Sequence, residues 1–156
     1  MFLTIAIPSF NRADSALQAV KNLLESAILP EQVQVVLANN GSSDAGYIFV
    51  EQFLGQKPNA SYLNFSNNLG FAGNFLRLMQ SCESKYVLTM SDEDDLDIKE
   101  LHELMRNLKS KSPDLCILRS FTSKPNATKK LRAMKLKGAS SSMSGIIFNL
   151  DSLRPL

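Results

Sequence analysis

The feature that most constrains this chain is a set of short apolar runs, each continuous rather than alternating, and each followed by a polar break. Leu3 to Pro8, Val33 to Ala38, Tyr62 to Phe65, Tyr86 to Met90 and Leu115 to Leu118 are such runs. A strand with one wet face alternates apolar and polar residues, whereas a strand covered on both faces reads as an unbroken apolar run. Between them, Leu17, Val20, Leu24 and Ala27 recur at helical spacing, as do Phe71, Phe75, Leu78 and Cys82, and then Ile98, Leu101, Met105 and Leu108. Ile48 to Leu54 fills the remaining gap as a further helix. Strands alternating with helices predict an α/β fold: a Rossmann-like, mostly parallel sheet with helices on both faces.

Sheets of this kind bind ligands in the crevice at the carboxyl ends of their strands. Polar clusters follow the first, second and fourth runs, so chemistry is expected there. Asn39-Asn40-Gly41-Ser42-Ser43-Asp44 has loop composition, with Asp44 suited to cap the helix that follows it. Asn67-Asn68-Leu69-Gly70 is a turn leading into the third helix. The remaining phenylalanines and the methionines fit core faces of strands and helices.

Composition narrows the partners. With 156 residues, 44% of them apolar, one domain spanning 1–156 is expected. The balance of 17 basic against 15 acidic residues is too even for a general nucleic-acid binder, so no nucleic-acid partner is expected. The two cysteines, Cys82 and Cys116, lack metal or redox spacing and read as buried thiols. The amino terminus has no basic leader, and no apolar run reaches the roughly 18 residues of a membrane span. A cytoplasmic protein is therefore expected.

Asp92, Glu93, Asp94 and Asp95 place four carboxylates at the end of a buried strand, where their mutual repulsion calls for a counter-ion. An all-oxygen set favours Mg²⁺ or Mn²⁺, held by one or two carboxylates together with substrate phosphates. The alternative is a solvated acidic helix start, since acids are favoured at the amino end of a helix. The position after a buried strand favours the metal.

Four motifs, in order and spacing, resemble the landmarks of the family 2 glycosyltransferase domain of GT-A fold. They are Ala6-Ile7-Pro8-Ser9-Phe10-Asn11-Arg12, Val36-Leu37-Ala38-Asn39-Asn40-Gly41-Ser42-Ser43-Asp44, Asn67-Asn68-Leu69-Gly70-Phe71-Ala72-Gly73-Asn74, and Tyr86-Val87-Leu88-Thr89-Met90-Ser91-Asp92-Glu93-Asp94-Asp95. The resemblance implies that Pro8, Ser9, Phe10, Asn11, Arg12, Asn39 and Asn40 lie against a nucleoside. It implies that Asn68, Gly70 and Asn74 border the ribose and diphosphate, that Asp92 serves the nucleotide, and that Asp92, Asp94 and Asp95 serve a divalent metal, Mn or Mg. Asn39 stands where the family has an aspartate, which leaves the nucleotide base open.

The activity implied is transfer of a sugar from a nucleoside-diphosphate sugar to an acceptor hydroxyl, with inversion. The setting implied is bacterial surface polysaccharide or lipopolysaccharide synthesis, with a glycan or lipid-linked acceptor. Residues 1–119 correspond to the nucleotide-sugar-binding part, and 120–156 to a basic loop and the start of the acceptor side. The catalytic base is not identifiable: after Ser120 the only carboxylate is Asp151, in a setting unlike the family's base motif. The sequence therefore reads as cut short after its nucleotide-binding half, and a catalytically incomplete nucleotide-binding or interaction module is the competing reading. A receiver-like domain would need an aspartate on the third strand and a lysine after the fifth, and a nucleotidyltransferase a glycine-rich first loop. Neither pattern is present. Lys124, Lys129, Lys130, Arg132, Lys135 and Lys137 form a basic loop without an acid, suited to peripheral contact with an anionic membrane at its inner face.

Overall fold

The structure, a computed structural model, describes residues 1–25, 29–96, 98–117, 136–137 and 145–153. In chain order the elements are β1 (Leu3–Ser9), α1 (Ala13–Glu25), β2 (Val33–Asn39), α2 (Tyr47–Gly55), β3 (Ala60–Asn64), α3 (Gly70–Gln80) and β4 (Tyr86–Thr89). These are followed by β5 (Asp95–Leu96), α4 (Ile98–Lys111), β6 (Leu115–Ile117), β7 (Leu136–Lys137), β8 (Ile146–Asn149) and α5 (Leu150–Leu153). The main sheet has the order β3-β2-β1-β4-β8-β6. The first four of these strands are mutually parallel, and β8 runs antiparallel to both β4 and β6.

The apolar runs of β1, β2 and β4 are unbroken because these strands are covered twice, whereas β3 and β6, at the two edges of the sheet, are partly exposed. Leu3, Ile5 and Ile7 of β1 join Val33, Val35 and Leu37 of β2 in one core with α1, α2 and α4. Ala6 of β1 and Val36 and Ala38 of β2 point the other way, against Leu78 and Cys82. Alanine at 6 and 38 lets α3 lie close on that face. Both cysteines are free, and burial pushes the Cys82 thiol up to about 11. His102 is exposed on α4. Among the described residues no helix is long and apolar enough to cross a membrane.

The sheet order separates the strand Leu115–Ile117 from β4. Ile146–Asn149 is inserted between them, its Ile147 and Phe148 paired to Leu88 and Val87. Asp44 does not cap the helix that follows it. Its Oδ2 accepts the Ala13 N–H at 2.9 Å, capping α1, while the amino cap of α2 is Gly46 with no side-chain bond. The loop after β2 folds back across the start of α1, so one Asp44 oxygen meets the distant Ala13 N–H while the other accepts the local Gly46 N–H, also at 2.9 Å.

The acidic cluster is not a helix start. Ser91 to Asp94 form a turn and Asp95–Leu96 a short strand before α4 begins at Ile98. That strand pairs antiparallel with Leu136–Lys137, so the end of the expected basic loop is a strand. Lys124, Lys129, Lys130, Arg132 and Lys135 lie outside the described residues. Finally, Phe71 and Phe75 do not lie on the buried row of α3: Asn74 and Leu78 do, and Phe71 is 55% exposed.

Candidate functional site

The loops after β1, β2 and β4 meet at the carboxyl edge of the sheet. The tightest approach is at Gly41, with φ of +68°, where a Cβ would stand 2.6 Å from the carbonyl carbon of Asn67. Only glycine fits both that backbone conformation and that gap. The contact brings the loop after β2 against the turn before α3.

Asparagines then join the loops. Asn40 Nδ2 donates to Asn68 Oδ1 at 2.9 Å and to the Gly70 carbonyl at 3.2 Å, and its Oδ1 accepts the Leu69 N–H at 3.1 Å. Asn39 Nδ2 donates at 3.1 Å to both Tyr62 Oη and Asn64 Oδ1, and its Oδ1 accepts the Ser42 N–H at 3.1 Å. Asn39 thus uses its carboxamide as both donor and acceptor. Asn11 adopts a left-handed backbone, φ 52°, a conformation asparagine tolerates better than most residues. It is held by its N–H on Ser42 Oγ and by the Ser43 N–H on its own Oδ1.

The acidic turn is anchored to β1. Ser9 Oγ donates to Asp92 Oδ2 at 2.6 Å, and Tyr47 Oη lies 2.5 Å from the same Ser9 oxygen. Because Ser9 has one hydroxyl proton and gives it to Asp92, the tyrosine is the donor of the second bond. Arg12 spans two acids, with Nη2 3.1 Å from Asp92 Oδ1 and Nη1 2.9 Å from Glu93 Oε1. Burial raises the Asp92 carboxyl above its ordinary range, opposed by the Ser9 hydrogen bond and the Arg12 charge. Asp94 is 4% exposed; its Oδ2 accepts the Ser91 N–H at 3.0 Å, while its Oδ1 is buried with no partner.

A cavity of about 320 Å³ opens between these loops. Of the residues expected at the site, Pro8, Ser9, Phe10, Arg12, Asn40, Asn68, Gly70 and Asn74 line it. Asn11, exposed and bonded to Ser42 and Ser43, and Asn39 do not line it, and Asp92 is bonded to two residues that do, Ser9 and Arg12. The Asp95 side chain lies outside the described residues. Phe71, Phe75, Thr89, Met90 and Ser91 also line the cavity, and Tyr47 supports it. These were not singled out from sequence, because an aromatic at helical spacing gives the same signal whether it faces core or crevice.

Among the described residues no three His, Cys, Asp or Glu side chains gather into a metal cage. A divalent ion held jointly with diphosphate needs only one or two carboxylates. Asp94 suits that use: a buried carboxylate oxygen without a donor is costly unless a ligand supplies the positive partner. Asp92 is already committed to Ser9 and Arg12.

Fold and crevice together define a GT-A-type α/β protein, with loops gathered at the carboxyl ends of parallel strands. The model of glycosyl transferase family 2 matches residues 4–151, and the chain belongs to that family. It is 32% identical over 93 residues to the uncharacterized glycosyltransferase MG025 homolog of Mycoplasma pneumoniae, covering 59% of this chain and 31% of that protein. In fold it is similar to residues 1–349 of Staphylococcus aureus TarS, with a TM-score of 0.74 at 15% identity, covering 98% of this chain and 48% of that one. TarS has also been solved with UDP-GlcNAc. A mannosyltransferase of Pyrobaculum calidifontis, PcManGT, solved with GDP-Man and Mn²⁺, is similar with a TM-score of 0.66 at 14% identity, covering 76% of this chain and 35% of that one. The chain spans less than half the length of each of these relatives.

Proposed function

We propose that this chain forms the donor-binding part of an inverting glycosyltransferase that moves a sugar from a nucleoside diphosphate to an acceptor hydroxyl. The observation that carries the proposal is the acidic turn at the crevice, where Asp94 keeps a buried, unpartnered oxygen beside the cavity-lining Ser91. The nucleoside lies against Pro8 to Phe10 and the Asn40–Asn68 link, with Asp92 oriented by Ser9 and Arg12. Asp94, with Asp92 beside it, would hold Mn²⁺ or Mg²⁺, which would supply charge stabilisation for the departing diphosphate. The acceptor is a glycan or lipid-linked hydroxyl, in bacterial surface polysaccharide or lipopolysaccharide synthesis. The family, the fold and the ligands of TarS and PcManGT support this reading.

Inversion requires a general base on the acceptor hydroxyl. Asp151 does not take that role. It follows Leu150, whose N–H bonds to the Lys85 carbonyl at the amino end of β4, the edge opposite the crevice. That placement favours a second reading, in which the chain binds the nucleotide without completing transfer. On either reading the lysines between residues 124 and 137 are suited to an anionic membrane face of the cytoplasm.

Titrating uridine, guanosine, thymidine and cytidine diphosphates with Mn²⁺, and following the melting temperature, tests nucleotide binding, since a ligand of the native state raises it. One base should stabilise the protein in Mn²⁺ and lose that effect in excess chelator. Stabilisation by none of the four would overturn the proposal. Hydrolysis or transfer of the matching nucleotide sugar then separates the two readings.

A further inference from the structure

Asn74 is 3% exposed and lines the cavity, yet its carboxamide oxygen has no hydrogen-bond partner among the described residues. Its place is set by α3: Leu78, one turn on, is fully buried in the core against Ala6, Val36 and Val87, so Asn74 is the sheet-facing residue where the helix reaches the crevice. The other asparagines of the crevice, Asn40 and Asn68, spend their carboxamides on each other and on the backbone. A buried amide oxygen left unmatched costs free energy that folding alone does not return.

The neighbourhood of Asn74 is aromatic. Phe71 and Phe75 stack with centroids 6.1 Å apart and planes 21° from parallel, and Phe75 meets Phe148 of β8 edge-on at 6.1 Å. Phe71 remains 55% exposed, a large apolar face presented at the rim. The crevice thus has two ends. Polar loops after β1 and β2 form one, and aromatic rings toward β8 form the other.

We infer that Asn74, Phe71 and Phe75 form the sugar subsite of the donor, Asn74 Oδ1 accepting from a sugar O–H or N–H while the C–H face of the ring packs on the phenylalanines. A sugar is the ligand class that presents both at once, an apolar face of C–H groups rimmed by hydrogen-bond donors. The inference rests on the nucleotide reading above, and it moves Asn74 from the ribose-diphosphate border, where the family resemblance places it, to the sugar.

The test compares a nucleoside diphosphate with its sugar ester by calorimetry in Mn²⁺: UDP against UDP-GlcNAc and UDP-glucose, or GDP against GDP-mannose if guanosine is the base selected. Asn74→Ala and Phe71→Ala should each weaken the nucleotide sugar about tenfold while changing the diphosphate less than about twofold. Free Asn74→Ala should melt no lower than wild type, since it removes an unmatched buried group, and Phe71→Ala should fold because its ring is largely exposed. Loss confined to UDP-GlcNAc would assign the Asn74 bond to an acetamido N–H, and equal loss for UDP-glucose to a hydroxyl. If diphosphate and nucleotide sugar weaken equally, or neither weakens, the subsite is wrong and the nucleotide reading stands. If no diphosphate binds the wild type, both fall.

Discussion

The Arg12 guanidinium, 44% exposed, lies 3.1 Å from a carboxylate of Asp92 whose side chain is wholly enclosed. One partner is held by solvent and the other by the protein, so removing either affects the two unequally. Arg12→Ala should destabilise the protein at neutral pH by about 1 kcal/mol, the pair being discounted for the exposed arginine. The Asp92 carboxyl is already raised by burial, and losing the arginine raises it further. A raised folded-state pKa favours the protonated fold, so the stability deficit should shrink as pH falls and Asp92 takes up its proton. Denaturant unfolding of both proteins across the acid range measures this. A deficit independent of pH would mean that Arg12 acts by packing alone.

Asp94→Asn should keep the fold, because the carboxamide oxygen can still accept the Ser91 N–H. Metal-supported binding of nucleoside diphosphate should fall about tenfold or more, since a neutral amide is a poor ligand for a hard cation. Calorimetry with and without Mn²⁺ decides it, and unchanged affinity would return the acidic turn to a structural role.

Gly41→Ala should cost about 2 kcal/mol or more, combining a left-handed backbone with a Cβ forced onto Asn67. The neighbouring loops should loosen together, visible as faster amide exchange at Leu69 and Ser42, which bond to Asn40 and Asn39. Melting at the wild-type temperature would show that the Gly41–Asn67 approach is not needed.

Asp44 accepts N–H bonds from Ala13 and Gly46, and these hold its carboxyl below the ordinary value. A depressed folded-state pKa contributes stability above the unfolded pKa and loses it as pH falls through the folded one. Asp44→Ala should therefore melt below wild type at about pH 7, with the gap narrowing toward about pH 2.5. A gap of constant size would assign the effect to the loop rather than to the charge.

The sequence by itself determined the alternation of strands and helices and the edge where the loops gather. Both follow from local chemistry: Leu3 to Ile7 must be buried on two faces, and a polar loop follows each such strand. The candidate residues Pro8 to Arg12 came from the family resemblance; Pro8 and Ser9 end β1, and Phe10 to Arg12 follow it. Only the tertiary structure decided that Ile146–Asn149 would enter the sheet beside β4, that Asp44 would cap α1, and that Asp92 and Asp94 would be buried rather than solvated. The pairing of Ile146–Asn149, the Asp44 cap and the Ser9 bond to Asp92 each depend on a partner about 30 or more residues away, so no local pattern encodes them. The division of roles along α3 is of the same kind. Phe71, Asn74 and Phe75 share one helix, and what each meets is set by where the sheet beneath the helix ends.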